Sequence, residues 1–281
     1  MSTFDFYNGQ FIPAGQPVLS ANSRAVRYGD GLFETMKMLN GKILLDNYHF
    51  NRLFSGLSLL QFDIPPHFTP AYIEDSILSL CQKNGNEKAA RIRLSVLRGN
   101  GGLYDPENMQ PNLLIQCWSL PEKAQLMNET GLLTDIYSDA RKVSDQFSHL
   151  KSNNYLPYLM GALYAREHQL DDVILLNVFD RICDATISNV FCTKNDTIFT
   201  PSLSEGCVDG VMRKYLLEEI TVKTGLNIIE QPLSEENLLE ADELFLTNAM
   251  GIRWVAQCGE KQYRKKISTQ LFDQLIRPMY Q

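Results

Sequence analysis

The dipeptide Asn40-Gly41 sits between two apolar runs, FETMKML and KILLD, and constrains this chain more than any other short feature. A two-residue hairpin whose strands twist in the natural hand needs positive φ at both central residues, which Asn and Gly tolerate best. Asn8-Gly9 repeats the signal between aromatic and β-branched residues, so Phe4 to Leu19 reads as a first hairpin. The N-terminal part is therefore expected to be rich in sheet. The segment YHFNRLFSGLSLLQF then carries Leu53, Leu57 and Leu60 at helical spacing, and AYIEDSILSLCQKNG carries Ile73, Ile77 and Leu80 before a glycine stop. Two helices are predicted to cover one face, with ARIRLSVLRG and NLLIQCWSL as further strands.

The polar stretch SLPEKAQLMNE is the predicted linker, with the boundary near Pro121. This divides the chain into a small N-terminal α/β domain (1–118), a linker (119–126) and a larger C-terminal domain (127–281). In the latter, VILLNVF, NVFCTK and ELFLTNA read as strands alternating with the helical stretches NYLPYLMGALYARE and VMRKYLLEEITVKTG. QFSHL reads as a short strand, followed by a helix opened by Ser152 and Asn153. The expectation is an α+β chain with two sheet-containing halves, and a cleft between them is the default place for a ligand.

Bulk properties exclude several classes. The net charge is −7 without a basic block, and the densest basic run, YRKKIS, is short; nucleic-acid binding needs clustered Lys and Arg. No apolar run approaches the ~18–20 residues that cross a bilayer, and MSTFDFYNGQ lacks the pattern of a signal peptide, so a cytoplasmic protein without a membrane partner is expected. Six cysteines without a C-x-x-C pair suggest neither a disulfide framework nor a metal site.

Five patches stand out together: RAVRYGDGLFET from Arg24, HFNRL from His49, LKSNNYL from Leu150, ICDATISNVF from Ile182 and GCVDGVMRKYL from Gly206. In order and spacing they resemble the class IV aminotransferases, the fold type IV pyridoxal-phosphate enzymes. That family includes branched-chain and D-amino-acid aminotransferases and 4-amino-4-deoxychorismate lyase. The resemblance runs from about Asn8 to Val255. It implies a two-domain fold like that of D-amino-acid aminotransferase, with a mixed, barrel-like sheet in the larger domain.

It also implies pyridoxal 5′-phosphate as cofactor and a role for particular residues. Lys151 matches the Schiff-base lysine, a task open to a lysine whose amine is deprotonated by burial or a cationic neighbour. Arg52 matches the arginine that grips the phosphate with its planar fork of donors. Backbone N–H groups of Val211 and Met212, at a helix start that favours anions, would assist it. Thr247 or Asn248 would add a side-chain donor. Asp184 stands where most members carry glutamate facing the pyridine nitrogen, and it keeps the charge on a stem one methylene shorter. Tyr28 matches an aromatic on the substrate side, and Arg27, Arg98 and Arg253 are the candidates for gripping a substrate carboxylate.

Gly210-Val211-Met212-Arg213 resembles the lyase's G-I-M-R, where branched-chain enzymes commonly have threonine for the methionine, and RGNGG from Arg98 resembles the lyase's R-G-x-G-G. Asn154, three residues after Lys151, fits lyases and D-amino-acid enzymes. Leu103 occupies the place of an arginine that both of those usually show. The resemblance thus implies a small-molecule amino substrate, with the lyase of folate biosynthesis first, an aminotransferase second and a catalytically silent homologue third. It implies a homodimer in which the loop around Gly101 to Tyr104 reaches across the interface.

Overall fold

Both Asn-Gly pairs turn the chain as their chemistry demands. In the computed structural model, which describes residues 3–280, Asn8 and Gly9 have φ of 45° and 87°, and Asn40 and Gly41 of 51° and 75°. Strands β1 (Phe4–Tyr7) and β2 (Gln10–Pro13) flank the first turn, and β3 (Gly31–Leu39) and β4 (Lys42–Ile43) the second. Contacts divide the chain into two units: residues up to Glu122 with Leu150–Asn154, and Lys123–His149 with Tyr155 onward.

In the first unit, β5 (Ala89–Arg98) and β6 (Pro111–Ser119) complete an antiparallel sheet of order β2-β1-β6-β5-β3-β4. Helices α1 (Arg24–Tyr28), α2 (Asp46–Leu59) and α3 (Pro70–Lys83) accompany it. Leu53 and Leu57 of α2 and Ile73, Ile77 and Leu80 of α3 are buried with Met36, Ile92, Leu94 and Ile115 of the strands, as the helical spacing predicts. Truncating one such side chain to alanine costs about 2–5 kcal/mol. Helix α3 starts where Thr69 accepts from the Tyr72 N–H and Pro70 supplies a preset φ. At Gly56 a Cβ would lie 2.7 Å from Leu32 and 3.3 Å from Leu150, so the glycine lets α2 press against both β3 and the segment entering Lys151.

The second unit holds a nine-stranded mixed sheet among the described residues. Its strands are β7 (Leu132–Lys142), β8 (Asp172–Asn177), β9 (Ile182–Ala185), β10 (Asn189–Lys194), β11 (Thr197–Thr200), β12 (Asn227–Glu230), β13 (Glu243–Asn248), β14 (Gly251–Cys258) and β15 (Lys261–Gln262). The order is β12-β11-β10-β13-β14-β7-β8-β9, with β15 beside β14. Strand β9 ends one path from β10, yet Ala185 and Ser188 join the two in a tight turn, so the sheet must curl back on itself. All six residues of β8 are buried. Helices α4 (Leu156–Glu167), α5 (Val211–Thr224), α6 (Glu235–Glu240) and α7 (Ile267–Leu271) complete the unit.

QFSHL is not a strand. Asp145 accepts from the Phe147 N–H and Ser148 bonds back to Val143, which closes a turn instead. Nor do Ser152 and Asn153 open a helix: α4 begins at Leu156, because Phe33 N–H bonds the Lys151 carbonyl and Asn153 N–H bonds the Gly31 carbonyl, holding this stretch extended along β3. All six cysteines are buried and unbridged, though folding brings Cys81 and Cys117 within hydrogen-bond contact.

Candidate active site

In the first unit, the backbone bonds at Lys151 and Asn153 fix the lysine beside β3, with its ammonium 4.5 Å from the centre of the Phe33 ring. One residue further along β3, Glu34 is fully buried and binds Arg52 through two bonds, Nε to Oε1 at 2.8 Å and Nη2 to Oε2 at 2.5 Å. His49 Nδ1 lies 2.7 Å from the same carboxylate. Burial alone raises the Glu34 pKa, but Arg52 and His49 outweigh it and hold it at about 2. Burial lowers His49, and the charges of Arg52 and Lys151 add to this against the pull of Glu34, so its pKa is net lowered. The result is a rigidly oriented guanidinium. Fork-on-fork pairing with Glu34 uses one edge of Arg52 and fixes the plane in which its other donors lie.

In the second unit, α5 starts at Val211 behind Gly210, which offers no side-chain cap to its N–H groups. A Cβ at 210 would lie 1.9 Å from Asn189 Oδ1, so glycine lets the helix start sit directly on β10. Opposite Asn189 in the register is Thr247, 1% exposed, whose hydroxyl finds no partner. Among the described residues only Arg213 Nε shares that condition. A buried hydroxyl without a partner is uncommon and calls for an explanation. Asn248 is different: it donates to Ile187 O and Ser188 Oγ and accepts from Met250 N–H.

Asn189 also donates to Asp184 at 2.9 Å and to Val208 O at 2.8 Å. Asp184, 2% exposed, further accepts from Lys142 Nζ at 2.8 Å, Tyr158 Oη at 2.7 Å and Val208 N–H at 3.0 Å. One asparagine thus ties an uncapped helix start, an orphan hydroxyl and a buried carboxylate together. An anion with hydrogen-bonding oxygens suits the first two, and a protonated ring nitrogen suits the third, which is the donor pattern of a phosphorylated pyridine.

The matched family extends over residues 31–258, under the description amino-transferase class IV. The chain belongs to the class IV aminotransferases, a family of pyridoxal-phosphate-dependent enzymes. It is 31% identical over 255 residues to aminodeoxychorismate lyase of Bacillus subtilis, covering 87% of this chain and 83% of that protein. It is 29% identical over 245 residues to a putative branched-chain-amino-acid aminotransferase of Methanocaldococcus jannaschii, covering 86% and 83%. The fold also matches the branched-chain aminotransferase of the thermophilic archaeon Thermoproteus uzoniensis, solved with norvaline, at a TM-score of 0.90 and 20% identity over 100% and 95% of the two chains. This α+β fold, with one small sheet and one curled sheet, is the architecture expected of the family.

The candidate substrate residues have different surroundings. Tyr28 is 37% exposed, its ring 5.5 Å from that of Tyr104. Arg27 is exposed and bonds Asn22. Arg98 is buried, bonded to Asp30, Leu60 O and Gln61 O. Arg253 bonds Ser188 Oγ at 3.0 Å and lies 3.4 Å from Asp172 through one nitrogen. Among the described residues there is no cluster fit to hold a metal ion.

Four polar residues next to these were not singled out from sequence: Glu34, Lys142, Tyr158 and Asn189. Glu34 and Asn189 lay within recognised patches, RAVRYGDGLFET and ICDATISNVF, without a role, whereas Lys142 and Tyr158 lay outside them. His49 lay within a recognised patch but without a role.

Proposed function

We propose that this enzyme is a lyase converting 4-amino-4-deoxychorismate to 4-aminobenzoate and pyruvate. Lys151 is the covalent attachment point and the proton carrier. Arg52 grips the phosphate, helped by the N–H groups of Val211 and Met212 and by the Thr247 hydroxyl, whose lack of a partner favours it over the fully engaged Asn248. When bound, the cofactor supplies an electron sink for the carbanion left by proton removal. Lys151 takes the proton from the amino-bearing carbon, and Asp184 holds the ring nitrogen's proton. The ring substituent then departs as enolpyruvate, which becomes pyruvate, and the remaining ring becomes aromatic.

The observation that carries the lyase reading is Met212. It is 3% exposed at the second position of α5, so the helix start offers only backbone donors where branched-chain enzymes commonly add a threonine hydroxyl. Identity to the Bacillus subtilis lyase supports the same choice. The second reading, an aminotransferase, is favoured by the Methanocaldococcus relative. Arg27 and Arg253 are proposed as carboxylate grips ahead of Arg98, whose donors are spent within its own unit, and Tyr28 as a substrate contact.

We also propose a cytoplasmic homodimer. Leu156, Leu159, Met160 and Leu163 of α4 recur at helical spacing and are 43–64% exposed, an apolar stripe that a second copy would cover. No helix among the described residues is long and apolar enough to cross a membrane.

The test is borohydride reduction of the protein incubated with pyridoxal phosphate, followed by peptide mapping, then incubation with 4-amino-4-deoxychorismate. Label on Lys151 with equimolar 4-aminobenzoate and pyruvate supports the lyase. Label on Lys151 with amino exchange between amino and keto acids selects the aminotransferase instead, and absence of label refutes both.

A further inference from the structure

The buried cluster around Asp184 contains more than a ring-facing carboxylate needs. Oδ2 accepts from Lys142 Nζ, Tyr158 Oη and Val208 N–H, whereas Oδ1 accepts from Asn189 alone. An ionised carboxylate has about four acceptor positions, so Oδ1 is the oxygen with one to spare. Lys142 Nζ also donates to the Gly206 carbonyl at 2.6 Å and to Tyr158 Oη, which satisfies all three of its N–H groups. Tyr158 relays by passing its own O–H to Asp184.

The backbone is built to bring Lys142 here. Tyr137 of β7 pairs with Leu175 of β8 and Arg141 with Leu176, so four steps along β7 advance against one along β8. Such a bulge re-aims the residues that follow it. Asp184 pairs with Leu175 from the other side, and the lysine after the bulge meets it. Lys142 is itself 7% exposed, a position that an unpaired ammonium does not hold.

We propose that Lys142 and Tyr158 are positioning residues that fix the Asp184 carboxylate with Oδ1 open and share its negative charge, so that Asp184 holds the cofactor's ring proton less tightly than an unaccompanied carboxylate would. This rests on the pyridoxal-phosphate reading of Asp184.

The thiols and the phenol that face Lys142 add no charge of their own near neutrality. Burial raises Cys183 and pushes Cys207 up to about 12, and Asp184 adds to both, so these thiols stay neutral. Burial and then Asp184 raise Tyr158, which stays protonated. Burial pulls Lys142 down, but Asp184 more than restores it, and its pKa is net raised. Asp209 and Arg213 act on Cys207 with opposite signs.

The experiment is to bind pyridoxal phosphate labelled with 15N in the ring, and follow the nitrogen's chemical shift against pH in wild type, Lys142→Met, Lys142→Arg and Tyr158→Phe. Removing the cation should strengthen proton binding at the ring nitrogen at least tenfold, moving its titration up by one pH unit or more. Lys142→Arg should restore the wild-type curve. Tyr158→Phe should move it up by about threefold and serves as the test if Lys142→Met does not fold. An unchanged curve in folded Lys142→Met, or in Tyr158→Phe where Lys142→Met fails to fold, overturns the proposal while leaving Lys151 and the cofactor intact. A wild type that takes up no label at Lys151 overturns this proposal and the proposed function together.

Discussion

Replacing Glu34 by glutamine tests whether the charge behind Arg52 is as strongly held as its surroundings imply. The carboxylate falls from 4.5 to about 2 on folding, and a shift of that size corresponds to about 3 kcal/mol of stability. Because the folded form is the stronger acid, the contribution is complete above 4.5 and drains away as pH falls through that value toward about 2. About 1 kcal/mol of it is gone at pH 3.5. Glutamine keeps the shape and one acceptor but removes the charge, leaving Arg52 and His49 without their anion.

The two units need separate readouts, since a chain with two units can unfold in two steps. Trp118 lies in the first and Trp254 in the second, and they are the only tryptophans, so a Trp254→Phe background makes fluorescence report the first unit alone. Urea unfolding at pH 7 should show Glu34→Gln less stable by about 3 kcal/mol, with a melting temperature lower by roughly 6–12 °C. The gap should shrink to about 2 kcal/mol at pH 3.5. A gap under ~1 kcal/mol at pH 7, or one that does not change with pH, would refute the reasoning, since the pair would then be too well solvated to depend on the charge.

Thr247→Val should leave the cofactor-free protein as stable as wild type, because its hydroxyl bonds nothing, yet weaken pyridoxal-phosphate binding by about tenfold or more in a fluorescence titration. Gly41→Ala should destabilise the first unit by about 1–2 kcal/mol in the same urea assay, since a Cβ there meets nothing within 4 Å and only the φ of 75° opposes it. Leu159→Glu should convert the proposed dimer to monomer in sedimentation equilibrium; an unchanged mass would place the interface elsewhere.

The features legible in the sequence are those that act over short spans. Asn-Gly turns declare their own geometry, and the stripes at Leu53, Leu57, Ile73 and Ile77 declare buried helix faces. What lay hidden depends on pairings between distant segments. Lys142 reads as one of two basic residues in ARKVSDQF, and nothing local states that a bulge in β7 will turn it inward against Asp184, 42 residues on. Glu34 meets Arg52 only because β3 and α2 pack together. Lys151 follows the linker in the chain, yet its carbonyl bonds the N–H of Phe33 in the first sheet, a return that no periodicity in LKSNNYL announces.

Each unit buries a carboxylate against a cation in its candidate site, Glu34 with Arg52 and Asp184 with Lys142. Such pairs are poor sources of stability, since taking two charges out of water commonly offsets their attraction and apolar replacements often serve as well. Their presence here has a different rationale. In the roles proposed for them, a guanidinium meeting a phosphate and a carboxylate meeting a ring nitrogen have to be held in one orientation before the ligand arrives. A charged partner with fixed hydrogen-bond directions does this, and a packed leucine does not. The sensitive substitutions in this enzyme should accordingly include partners that never touch substrate. Replacing Glu34 or Lys142 would alter the aim of Arg52 or Asp184 while leaving Lys151, Arg52, Asp184 and Thr247 themselves in place.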